Sequence, residues 1–139
     1  MKNRILSGAG VIVLGLLISL GPQFLFKVCG PVVSHDGGGS TWMKCHWSAQ
    51  AEIGVGALAA ALGIAILLFV SRETRIGLSV GVFFSAVLAA LIPHVLIGGC
   101  SMASMPCQTL AFPAITVFSI LLLVFSLGNI VYLIRRVKQ

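Results

Sequence analysis

Four stretches of the chain run for about twenty residues with almost no charge: Ile5 to Phe26, about Gln50 to Val70, Ile76 to Ile97 and about Leu110 to Ile134. Glu52 is the only charged side chain within them. Crossing about 30 Å of hydrocarbon takes roughly 20 helical residues. Backbone groups in lipid must pair internally, so each stretch is expected to be a helix. The runs are too long and unbroken for the alternating strands of a membrane barrel.

Composition supports this reading. Of 139 residues, 58% are hydrophobic and 9% are charged, against about 25% charged in a soluble domain. A soluble fold this small could not hide so much apolar surface. The expected fold class is therefore all-α, a four-helix transmembrane bundle, with residues 1–139 forming a single integral membrane domain. Lys2 and Arg4 precede the first run as they would in a signal peptide. That run is longer than the roughly 7–15 residues of a signal core and has no clear small-x-small cleavage site, so it is expected to be a retained helix.

The net charge of +6 does not indicate nucleic acid, because the basic residues sit at the ends of apolar runs and form no groove-sized cluster. They act instead as topology signals. Lys2, Arg4, Arg72, Arg75, Arg135, Arg136 and Lys138 fall on one side, and only Lys27 and Lys44 on the other. The bias places both termini and the turn at 71–75 in the cytoplasm. The connections 27–49 and 98–109 then face outward.

Those connections hold the unusual residues. The first carries a Gly37–Gly39 run, which is a turn signal, and Trp42 and Trp47, which suit a membrane interface. All four cysteines fall here, Cys29 and Cys45 in the first connection and Cys100 and Cys107 in the second. An even count confined to an oxidising face points to disulfides. Of the three pairings open to four cysteines, Cys29–Cys45 and Cys100–Cys107 are favoured because each closes a local loop, and each would contribute roughly 2–3 kcal/mol. Cross-loop pairing stays open.

Two other chemistries use the same residues. Four helices with two outer cysteine pairs resemble the layout of DsbB-type and vitamin K epoxide reductase-type membrane oxidoreductases, which implies a quinone cofactor and a soluble thiol partner. The likeness is one of layout only, because no Cys-x-x-Cys is present to lower a thiol pKa. Alternatively, Met43, Cys45 and His46, with Met102 and Met105 between Cys100 and Cys107, offer soft ligands for copper or zinc. Oxidised cysteines could not serve as thiolate ligands. No cofactor is expected on the accessory reading.

Glu52 sits near the start of the second helix. It is read either as a helix-start acid suited to the dipole, paired with Lys44 or His46, or as an intramembrane acid facing the bundle interior. Pro93 and Pro113 are expected to kink helices three and four and to widen the outer half, so that His46, Glu52 and His94 line a small outward pocket. Small residues mark helix contacts: Gly8, Gly10 and Gly15 in the first helix, Gly54, Gly56, Ala60 and Gly63 in the second, and the stripe Gly77, Gly81, Ser85, Ala89 in the third. The stripe suits packing within the bundle or, more sharply, a membrane protein partner or homo-oligomer.

No Walker motif, nucleophile elbow or zinc-protease spacing occurs, so nothing positive points to an enzyme. The segments WMKCHWSAQAEIG at 42–54 and CSMASMPCQTLAFP at 100–113 resemble the family of unknown function numbered 4418. Matching positions are Cys45, His46, Glu52, Cys100, Met105, Pro106, Cys107 and Pro113. The likeness covers nearly the whole chain. It implies a small bacterial four-helix protein of the inner or cytoplasmic membrane and brings no established activity. The expected role is a non-catalytic accessory or interaction subunit with a disulfide-stabilised outer cap. A quinone-linked thiol–disulfide oxidoreductase and a metal-handling protein are the alternatives.

Overall fold

The computed structural model describes residues 2–21, 24, 33–34, 40–41, 44–97 and 107–137. Its main elements are α1 (Lys2–Leu20), α2 (Lys44–Leu68), α3 (Arg72–Leu91) and α4 (Phe112–Val137). All four are long and apolar enough to cross a membrane, the make-up of a multi-pass membrane protein. A short antiparallel pair, β1 (Val33–Ser34) and β2 (Ser40–Thr41), lies within the connection between α1 and α2.

The helices run up and down in a closed ring. Each packs on its sequence neighbour, and α4 returns to α1. Both termini and the α2–α3 turn therefore share one end, called here the terminal end. The long connections share the other, the cysteine end.

Element limits differ from the hydropathy limits in an informative way. Regular α1 stops at Leu20 rather than Phe26, with Gly21 and Phe24 in wider π-type turns. Helix α2 begins at Lys44, six residues before its apolar run. Cys45, His46 and Trp47 thus belong to a helix rather than to a loop. Apolar length measures the lipid a helix crosses, whereas its end is set by backbone pairing, which continues into the interface. Trp47 is exposed there, as an interfacial aromatic should be.

The proline expectation also changes. Pro93 lies in a π-helical segment, Ile92–Leu96, that ends the regular part of α3. Pro113 is the second residue of α4, just after a second π-helical segment, Cys107–Ala111. The helical backbone runs on through both segments, and the wide turn before Pro113 accommodates the ladder bond that proline cannot donate. Wide turns therefore gather at the cysteine end of α1, α3 and α4.

Packing follows the rules of lipid. Large apolar side chains such as Leu16, Leu58, Phe84 and Val124 face outward, at no cost where the solvent is hydrocarbon. Association must then come from close approach and interhelical polar bonds. The α1–α2 seam achieves this with glycine. A Cβ placed on Gly56 would stand 2.5 Å from the Ser19 nitrogen, and one on Gly15 would stand 2.7 Å from the Ala60 nitrogen. Gly8 and Gly63 are equally tight against α2 and α1, whereas Gly54 faces open space. Beside this seam Val11, Ile18, Ala59, Ile66, Val82, Ala86, Ala89 and Leu122 form the core.

The α3 stripe divides. Ser85 and Ala89 are buried in the bundle, and Gly81 meets the Leu62 side chain. Gly77 alone of the four has open space around it.

Candidate functional site

Among the described residues ten polar or charged side chains are buried; Ser19 and Ser85 donate to backbone carbonyls, and the other eight fall into two groups that behave differently. The first group lies in the cysteine-side half. Glu52 is fully buried on α2, and neither carboxylate oxygen has a hydrogen-bond partner. Ser48 lies one turn earlier on the same face, buried, with its hydroxyl unpartnered. Ser119 on α4 is in the same condition.

Register brings these groups to similar depth. The contacts of Gly15 with Gly56, of Gly81 with Leu62 and of Ser79 with Ser126 fix how the helices slide. They set Glu52 level with Ser19, with the stretch from Ala89 to Ile92, and with the turn of α4 from Ile115 to Ser119. Glu52 lies about 12 Å along α2 from Lys44. Small side chains surround that level: Ser19 hydroxyl donates to the Ile53 carbonyl at 3.3 Å, and Ala86 and Ala89 are fully buried. The helix-start reading of Glu52, paired with Lys44 or His46, does not hold, because its side chain turns inward and bonds to neither.

His46 and His94 sit elsewhere on the surface of this half. His46 is half-buried, with its ring edge-on to Trp47 at 6.1 Å. Six residues separate it from Glu52, which turns it to another face of α2, so Ser48 rather than His46 shares the Glu52 face. His94 is exposed in the π-helical turn of α3. Its Nε2 lies 2.8 Å from Thr116 Oγ1, and Thr116 donates its own proton to the Phe112 carbonyl at 2.8 Å. With the Thr116 proton turned to Phe112, the tautomer protonated at Nε2 completes the contact and holds the imidazole against α4. The ring also meets Phe112 edge-on at 6.4 Å. π-Helical turns recur at functional sites in proteins, and this one stands at the depth of Glu52.

Cys29, Cys100, Met43, Met102 and Met105 lie outside the described residues, and Cys45 and Cys107 are described only as members of helical turns. Among the described residues no three His, Cys, Asp or Glu side chains come together as a metal centre would require.

The second group occupies the terminal end and is bonded across three helices. Ser79 on α3 donates to the Arg75 carbonyl at 2.8 Å and accepts from Asn129 Nδ2 at 2.8 Å. Ser126 donates to the Ser79 carbonyl at 2.6 Å. Arg75 reaches Ser7 on α1 at 3.4 Å, and Ser7 donates to the Arg4 carbonyl at 3.2 Å. Sequence reading treated Arg75 as a topology charge and overlooked this node. The available signal was spacing: Ser79 four residues after Arg75, and Asn129 three after Ser126, polar groups in register inside apolar runs.

The family model described as a domain of unknown function (DUF4418) matches residues 11–132, and the chain belongs to that family. No curated protein and no solved structure matches it.

Proposed function

We propose that this family member is a non-catalytic accessory protein of a bacterial cytoplasmic membrane, one integral domain over residues 1–139 with both termini inside. Its outer cap, stapled by Cys29–Cys45 and Cys100–Cys107, engages a partner. The observation that carries the reading is Glu52. A buried acid without a partner costs stability, and such groups persist within membranes where they serve function. Here the acid, Ser48, Ser119 and the π-helical turns all belong to the cysteine-side half, whereas at the terminal end Ser7, Arg75, Ser79, Ser126 and Asn129 each hold at least one bond, and the atoms left unpaired there are donors of Asn3, Arg4 and Arg75 and the Asn129 carbonyl oxygen. The cysteine end is thus the working end. The favoured disulfides suit it, because Cys45 lies in the first turn of α2 and Cys107 heads the turn that leads into α4. Each bridge would tie a connection to the start of a rigid helix.

Thiol trapping in intact cells, read by mass spectrometry, tests this. The stapled reading expects all four cysteines oxidised, with local pairing and resistance to mild reductant. One labile pair whose redox state follows quinone would replace it with an oxidoreductase. Free thiols that become protected when copper or zinc is added would replace it with metal handling.

A further inference from the structure

Among the described residues the terminal end leaves several hydrogen-bond donors unsatisfied. Asn3 Nδ2, Arg4 Nε and Arg75 Nε are all buried without an acceptor. Arg75 is only 8% exposed, and Arg4 lies near enough for the two like charges to repel. Among the described residues no carboxylate pairs with either guanidinium: Glu52 is in the other half of the bundle, and Glu73 is exposed on the surface of α3. Two like-charged guanidinium groups with no carboxylate partner among the described residues are costly in a membrane protein unless something supplies an anion.

An opening lies beside them. A groove of about 380 Å³ runs between α1 and α4. Its mouth is polar, formed by Asn3 and Tyr132 with Ser7 and Asn129 just below. Its apolar lining is Leu6, level with Ser7, and, deeper in, Val124 and Phe125. Ser7 is the side chain that Arg75 contacts, so the guanidinium stands directly behind the groove. The order from polar mouth to apolar depth follows the membrane normal.

We propose that this groove binds an anionic phospholipid, with its phosphodiester at the mouth accepting from Asn3 and drawing in the side chains of Arg4 and Arg75, which are not themselves part of the lining, and one acyl chain lying along Leu6, Val124 and Phe125. Arginine suits a phosphate oxygen because its planar fork donates two parallel bonds. Basic pockets between transmembrane helices are a known form of lipid headgroup recognition. The apolar wall favours a lipid over a free phosphate ion, which would leave Leu6 and Phe125 unused. The site is independent of the cap and of its cysteines.

Native mass spectrometry of the full-length protein in detergent tests the proposal, with phosphatidylglycerol, phosphatidylcholine and inorganic phosphate as probes. Phosphatidylglycerol should be retained about tenfold more tightly than phosphatidylcholine, and Arg4→Gln should remove about that factor, as one charge-assisted bond implies. Gly128 lines the groove, and a Cβ there meets nothing within 4 Å. Gly128→Phe should therefore fill the groove and abolish retention of both lipids while leaving thermal unfolding unchanged. If Arg4→Gln fails to fold, the Gly128 variant still decides. Equal retention of the two lipids, retention unaffected by Gly128→Phe, or displacement of phosphatidylglycerol by excess inorganic phosphate would overturn the proposal.

Discussion

The two ends of the bundle interior bury similar chemistry and treat it in opposite ways. At the terminal end Ser7, Arg75, Ser79, Ser126 and Asn129 each hold at least one bond, and the bonds join α1, α3 and α4. Toward the cysteine end Ser48, Glu52 and Ser119 are as deeply buried and hold none. Polar groups in lipid can lock helices together, at about 0.6 kcal/mol per bond on average. Unbonded ones cannot, and they lower stability instead. The first group explains how the helices stay in register. The second, Ser48, Glu52 and Ser119, makes no such bond, which is why the proposed function rests on it.

Substitutions can break this contrast or sharpen it. The largest effect should come from the seam on which both ends depend. Gly56→Leu would drive a side chain into the Ser19 backbone and should destabilise the protein by about 3 kcal/mol, read as unfolding in mixed micelles with rising denaturing detergent. A smaller loss should follow Ser79→Ala. It strips the acceptor from Asn129 Nδ2 and leaves that buried amide with no partner at either end, at a cost of about 1.5 kcal/mol in the same assay. Smaller still is Asn129→Leu, which removes the amide as well as its bond and should cost about 0.6 kcal/mol. Combining it with Ser79→Ala should give less than the sum of the two, since the leucine leaves nothing unpaired. Strict additivity in that cycle would mean that Ser79 and Asn129 are not coupled, and the bonded end would lose its distinction.

The sequence made the spans legible because lipid imposes a length on apolar runs that no other solvent does. It also revealed the α1–α2 seam, where Gly8, Gly15, Gly56 and Gly63 do what small residues do in membranes. Helix ends were less legible. Lys44 to Ala49 reads as loop by hydropathy, yet its backbone continues the helix into the interface. Arg75 is legible only in part: charge near a helix end predicts sidedness, but it does not say whether the side chain points out to solvent or in toward Ser7. Glu52 was legible as a candidate, and its loneliness was not, because partners are a property of the assembled bundle. His94 was expected beside Glu52, and its bond to Thr116 depends on a wide turn that Pro93 alone does not announce.

Glu52→Leu is the most direct test that the cysteine-side polar group is kept for function rather than for the fold. Leucine matches the glutamate in size and needs no partner. Measured by unfolding in micelles, the variant should be more stable than the parent by about 1 kcal/mol. A loss of stability of that size or more would show that Glu52 holds the bundle together, and the cysteine end would no longer stand out as the working end.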